Sequence, residues 1–180
     1  MNNMKILYIS GSPRTDSNTD ILLNTSLSIT GGQFIKLKNF KIKPCSSCWA
    51  CLKSDSCVIP DEMTSQIVPL LLNCEGIVLG SPVYFNNVSS ILKAFIDRTW
   101  CLRGKLRNKI GAAVAVGRGY GIEGAITAMN AFFLKHEFII VNRGVSGNAF
   151  DSCEISQNQE TIESAKQLGK RILEMSNLLN

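Results

Sequence analysis

Residues 4–19 read MKILYISGSPRTDSNT. The stretch Met4–Ser10 is a short apolar run, and Gly11-Ser12-Pro13 ends it as a turn. Helix-compatible apolar spacing follows over Thr19–Ser28, with Ser17 or Asn18 as the N-cap. A strand, a tight polar loop and a helix open the chain, and the same alternation recurs downstream. Gln33–Lys38 reads as a second strand, Gly76–Gly80 as a third, Ile110–Val116 as a fourth and Phe138–Val141 as a fifth. Helices are expected from Asp61 to about Asn73 (kinked by Pro69), over Ser89–Cys101 and Ile122–His136, and over Glu160–Leu179. Third and fourth strands that are apolar throughout belong to a parallel sheet covered on both faces. Such alternation implies an α/β, doubly wound sheet of five parallel strands joined by right-handed crossovers. Its ligand would sit beyond the strand C-termini, at the switch point of strand order.

With 180 residues, 45% of them hydrophobic and 18% charged, one domain over residues 1–180 and one sizeable core are expected. Nineteen Lys and Arg against fourteen Asp and Glu give a net charge of +5, without the dense basic tracts of a nucleic-acid binder. No apolar run approaches the ~20 residues of a membrane span. The first residues lack the apolar core of a signal peptide, so a cytoplasmic protein is expected. Seven cysteines without a secretion signal then point to a metal or redox site rather than a disulfide framework.

Three loops fall at the strand ends where chemistry is expected. The first, Ser10 to Thr19, combines hydroxyls, Arg14 and a helix N-terminus, which together suit a phosphate dianion; the alternative is a polar turn with an N-cap. It lacks both the GK[ST] of a P-loop and the GxGxxG of a dinucleotide fold, so a terminal monophosphate is expected. The second, Gly80 to Ser89, presents Tyr84, Phe85, Asn86 and Asn87 after the stiff Pro82-Val83, as if to hold a planar heteroaromatic; otherwise its aromatics fill the core. The third, Gly117-Arg118-Gly119-Tyr120-Gly121, lets backbone approach a ligand closely.

Strand–GSPRxxSNT–helix, then GSPVYFNN and a glycine-rich fourth loop, resembles the flavodoxin-like NAD(P)H-dependent FMN reductases and quinone reductases. The resemblance runs from Met4 to at least Val141 and implies a three-layer αβα fold that binds FMN. It implies that Ser10, Ser12, Arg14, Ser17, Asn18 and Thr19 hold the FMN phosphate. By the same resemblance Pro82, Val83, Tyr84, Phe85 and Asn86 line the isoalloxazine, with Gly117, Arg118, Gly119 and Tyr120 on its other margin.

Cys45-x2-Cys48-x2-Cys51-x5-Cys57 is the most specific feature of the chain. Its first steps match the bacterial ferredoxin run, and it lacks the two separated knuckles of a zinc site. A [4Fe–4S] cluster is the leading expectation, with zinc and redox-active or idle cysteines as alternatives. The segment resembles the iron–sulfur flavoprotein branch of the same family. That resemblance implies a [4Fe–4S] cluster beside FMN, a ferredoxin-like electron donor, and a homodimer or homotetramer. The function expected is an FMN-dependent oxidoreductase passing electrons through the cluster to FMN and a small-molecule acceptor. The alternatives are an NAD(P)H-dependent FMN or quinone reductase without a cluster and a non-catalytic redox sensor. No side chain stands out as a catalytic acid or base. Lys36, Lys38, Lys41 and Lys43 read as protection of an edge strand, or else as a dock for an acidic electron carrier. His136 reads as a cation at a helix end, and Cys74 and Cys101 as small core hydrophobes. Trp49 reads as a shield for the cluster or an anchor for its loop.

Overall fold

The computed structural model describes residues 5–179. Its strands are β1 (Ile6–Ser10), β2 (Gln33–Lys36), β3 (Gly76–Pro82), β4 (Ile110–Gly117), β5 (Ile139–Ile140) and β6 (Val145–Asn148). Its helices are α1 (Asn18–Thr30), α2 (Cys51–Ser54), α3 (Val68–Asn73), α4 (Ser90–Arg98), α5 (Ile122–Lys135) and α6 (Gln159–Leu179). Met4 lies outside the described residues. Every strand pairing is parallel, in the order β2-β1-β3-β4-β5, with β6 also on β4. The chain leaves β1 for one side of the sheet and β3 for the other, so the expected doubly wound, flavodoxin-like topology is present.

Residues of the central strands divide by parity between two cores. Leu7, Ile9, Ile77, Leu79, Ala113 and Ala115 face one side, where Met63, Ile67, Leu71, Phe95, Met129 and Phe133 cover them. Ile6, Tyr8, Val78, Ala112, Val114 and Val116 face the other, under Leu22 and Leu23 of α1 and Ala165, Leu168 and Ile172 of α6. That is a three-layer αβα sandwich. Each fully buried side chain such as Leu79 or Phe95 contributes ~1.5–3 kcal/mol to it. Among the described residues no helix is long and apolar enough to cross a membrane.

Three local expectations are corrected. The fifth strand, expected over Phe138–Val141, is two short strands in succession: β5 pairs with Ile110 and Gly111, β6 with Val114 to Gly117. Between them Gly144, at φ +116°, donates its N–H to Asn142 Oδ1 at 2.6 Å, a turn that interrupts the ladder. Second, the helix expected from Asp61 to about Asn73 is not one regular α-helix ahead of Pro69. A π turn over Met63–Ile67, closed by Val68 N–H to Met63 O, widens the backbone just before the proline and leads into α3. Third, the second strand stops at Lys36 and gives way to a 3-10 turn over Leu37–Asn39.

Candidate functional site

The loops after β1 and β3 are tied together at the switch point. Gly11 N–H donates to Gly80 O at 2.8 Å, and Ser89 Oγ donates to Gly11 O at 2.6 Å. Above this junction opens a cleft of about 390 Å³. Ser12, Arg14, Ser17, Asn18 and Thr19 line one end, and Pro82, Val83, Tyr84, Phe85 and Asn86 line the wall. Gly117, Arg118 and Tyr120 close the far margin. Thirteen residues expected from three separate loops thus meet around one space.

Two expected residues are not in the lining. Ser10 lies beneath the loop, where its hydroxyl accepts from Ser12 N–H at 3.1 Å and donates to Asp20. Gly119, at φ +103°, is likewise absent from the lining. Asn18 lines the cleft, but its amide is used elsewhere: Nδ2 donates to Asp151 O at 2.7 Å and Oδ1 accepts from Ile155 N–H at 3.1 Å. Ser17 is the N-cap, accepting from Asp20 N–H at 3.3 Å. Among the described residues no carboxylate pairs with Arg14, and together with the first-turn N–H groups of α1 its guanidinium gives this end of the cleft an anion-binding character.

Lys36 corrects the reading of an exposed protective lysine. It is buried and paired with Asp20, and its ammonium also donates to the carbonyl of Arg14. A β-strand lysine therefore braces the first loop from below, and Asp20 links it to Ser10. Ala149 and Phe150 also line the cleft. A sheet ending at Val141 leaves them out; β6, whose residues Val145-Ser146-Gly147-Asn148 alternate between buried and exposed on β4, is what returns the chain to the cleft. Arg118 lies 5.7 Å from the Phe150 ring centroid, a cation–π contact across the mouth.

The wall is a tight turn. Tyr84 and Asn87 exchange backbone hydrogen bonds at 2.9 and 3.0 Å, with Phe85 and Asn86 both left-handed at φ 51° and 60°. That is the type I′ pattern, unusual for a phenylalanine. The turn leans on α5, where a Cβ at Gly124 would fall 2.0 Å from Asn86 O. Phe85 projects fully into solvent.

A second cavity, of about 610 Å³, lies beyond the same turn and is lined by all four clustered cysteines. Cys45 and Cys48 are exposed, Cys51 and Cys57 half-buried. Ser47 and Trp49 are left-handed, so the loop coils tightly before α2. A hydrogen bond from Ala50 N–H holds the Cys48 thiol below its ordinary pKa and favours the thiolate, the form that ligates metals. Among the described residues, no three His, Cys, Asp or Glu side chains gather closely enough to hold a single metal ion. Four thiols around one cavity nevertheless supply the donor number and type of an iron–sulfur cluster.

Arg98, which sequence reasoning passed over, fastens this loop. Its buried guanidinium donates from Nη1 to Asp61 Oδ2 at 2.6 Å and to Lys43 O at 2.8 Å, and from Nη2 to Asp61 Oδ1 and Thr64 Oγ1, each at 3.1 Å. Burial opposes ionisation of Asp61, but the hydrogen bonds from Arg98 and from the N–H groups of Lys43 and Thr64 outweigh it and hold the carboxyl below its usual range. Trp49 and Trp100 meet edge-on at 6.2 Å beside the thiols. Cys101 is buried against the loop, and Cys74 lies apart, where burial pushes its thiol up to about 11.

His136 also lines the second cavity, and not as a cation. Burial lowers its pKa to about 4, so the ring is neutral. The Thr99 hydroxyl donates to Ile96 O at 2.7 Å, so at the 3.0 Å contact His136 Nε2 is the donor and Thr99 Oγ1 accepts.

A doubly wound sheet whose switch-point cleft joins an anion-binding loop to an aromatic wall defines a flavodoxin-like, FMN-dependent oxidoreductase. The chain belongs to the NADPH-dependent FMN reductase family, which it matches over residues 4–151. An iron–sulfur flavoprotein of Methanocaldococcus jannaschii is 36% identical over 98% of this chain and 99% of its own. Another, from Methanosarcina thermophila, is 33% identical over 92% and 93%. Among solved structures, RosB with bound 8-demethyl-8-formylriboflavin-5'-phosphate shares the fold at TM-score 0.78 and 12% identity, over 98% of this chain and 80% of that one. A flavone reductase does so at TM-score 0.76 and 18% identity; the chain covers less than two thirds of it, 63%, with 97% of its own length.

Proposed function

We propose that this oxidoreductase works as an iron–sulfur flavoprotein, with FMN in the switch-point cleft and a [4Fe–4S] cluster on Cys45, Cys48, Cys51 and Cys57. The observation that carries the reading is that one turn, Tyr84 to Asn87, borders both the cleft and the thiol cavity. The names borne by relatives at 33–36% identity support it. When bound, the cluster supplies one-electron steps and FMN either one- or two-electron steps. Ser12, Ser17, Thr19, Arg14 and the first N–H groups of α1 would bind the phosphate, with Lys36 and Asp20 holding that loop in shape. Tyr84, Phe85, Asn86 and the backbone of Gly117 to Tyr120 would orient the ring system, with Phe150 at the mouth. Trp49, Val58 and Trp100 would keep water from the thiols. A ferredoxin-like protein is the donor in this reading, with NAD(P)H as the other source, and a small molecule is the acceptor. Assembly as a homodimer or homotetramer belongs to the same reading, because Phe85, Tyr120 and Phe150 stand exposed around the cleft.

Anaerobic purification followed by flavin, iron and sulfide analysis tests the proposal. About four iron and four sulfide per chain together with flavin are expected. Flavin without iron, even after reconstitution, would instead make the chain an NAD(P)H-dependent reductase, as the family match alone allows.

A further inference from the structure

Lys43 and Ile59 stand at the two ends of the cysteine loop, and Arg98 reaches both. A guanidinium has five N–H donors. The four on Nη1 and Nη2 are taken by Asp61, Lys43 O and Thr64 Oγ1, with Ile59 O a longer contact at 3.4 Å. The fifth, on Nε, is buried and has no partner among the described residues. The side chains of Arg98 and Asp61 are 0% and 3% exposed, so an unused donor here carries its full desolvation cost. Arg98 lines the thiol cavity, and the Cys57 sulfur lies beside its guanidinium. A thiol sulfur is a poor acceptor, whereas an anionic, metal-bound sulfur is a good one.

We propose that Arg98 is a positioning residue for the cysteine ligand loop: it clasps the loop's two ends through Asp61 and Lys43 and directs Nε–H at the Cys57 sulfur, tuning the reduction potential of the group held there. The inference rests on the iron–sulfur reading above. Asp61 neutralises Arg98, so the intact pair adds little net charge next to the sulfur. Removing one partner leaves a buried charge of one sign, and removing the other leaves the opposite sign. Hydrogen bonds to cluster sulfurs and nearby charge both set such potentials.

The test is a redox titration, followed by electron paramagnetic resonance, of the reconstituted wild type and of Arg98→Met, Arg98→Lys and Asp61→Asn. Arg98→Met should move the midpoint negative by at least a tenfold change in the oxidised-to-reduced ratio, about 59 mV for one electron. Asp61→Asn should move it positive, and Arg98→Lys should follow Arg98→Met by a smaller amount, since it keeps the charge and loses the Nε donor. A purely structural role would lower iron content in both single-partner variants without opposite shifts. Equal potentials at full iron content, or shifts of the same sign, overturn the proposal.

Hydrogen–deuterium exchange on the chain before reconstitution supplies an arm independent of the cluster. Exchange over residues 45–57 should rise in Arg98→Met, while β1 and β4 stay protected. Unchanged loop exchange also overturns the proposal. A wild type that takes up no iron would sink the iron–sulfur reading by itself, and the exchange result would still decide the clasp.

Discussion

Asn86 and Asn87 are consecutive residues of one tight turn, and they line different cavities: Asn86 the switch-point cleft, Asn87 the space bordered by the four thiols. The turn is held by two backbone hydrogen bonds and by close contact with α5, so anything that shifts it is felt on both sides.

Gly124→Ala exploits that contact. A methyl group 2.0 Å from Asn86 O cannot be accommodated unless the turn moves. Overpacking of this kind costs about 1–3 kcal/mol. Flavin affinity should fall about tenfold or more in a fluorescence titration, and a wild-type dissociation constant would show that the turn does not contact the ring.

Arg14→Ala addresses the end of the cleft proposed to hold the phosphate. A hydrogen bond to a charged group is worth about 1.5–3 kcal/mol, or roughly 10- to 150-fold in affinity. The loss should appear for FMN and be absent for riboflavin, which has no phosphate. Equal effects on both ligands would remove Arg14 from the anion site.

Lys36→Met removes the brace beneath the first loop and leaves Asp20 without its cation. Breaking a buried pair from one side costs about 3 kcal/mol or more. The denaturant midpoint should drop, and FMN affinity should drop with it, because the Arg14 carbonyl loses its donor. A change in stability with unchanged affinity would make Lys36 a fold residue only.

On the iron–sulfur proposal, Cys51→Ser should lose iron and retain flavin, since the thiols border a space separate from the cleft. Parallel loss of both cofactors, measured by iron assay and absorption, would mean that the two sites fold as one.

His136 gives the fold a pH dependence with a defined sign. Its pKa falls from 6.5 unfolded to about 4 folded, chiefly through burial, with Lys135 adding to the effect. Between those values the unfolded chain binds the extra proton. The stabilisation, at most about 3 kcal/mol, is therefore complete above pH 6.5 and lost progressively as pH falls towards 4. Denaturant midpoints across this window should slope less in His136→Gln than in the wild type.

Much of this was legible in the sequence because local pattern and tertiary role coincide. The apolar runs of β1, β3 and β4 are buried on both faces, and parallel strands of that kind leave an unbroken hydrophobic signature. Ser12, Arg14, Ser17, Tyr84 and Asn86 sit on loops at strand ends, where the topology itself predicts a ligand. Lys36, Arg98 and Phe150 were not legible, each for its own reason. A lysine in an edge strand looks protective until its long side chain is seen turning inward to Asp20. An arginine at the end of an amphipathic helix looks solvated, and only the folded loop brings Asp61 and two carbonyls to it. Phe150 depends on a strand of four residues that resumes after a break, too short to announce itself.

Both tryptophans of the chain, Trp49 and Trp100, face the thiol cavity and touch edge to face. The intrinsic emission of this protein is therefore a local gauge of one loop rather than of the whole sheet. A melt followed by tryptophan fluorescence tracks the unfastening of residues around Arg98. It separates from a melt followed by far-ultraviolet circular dichroism whenever that loop opens before the strands do.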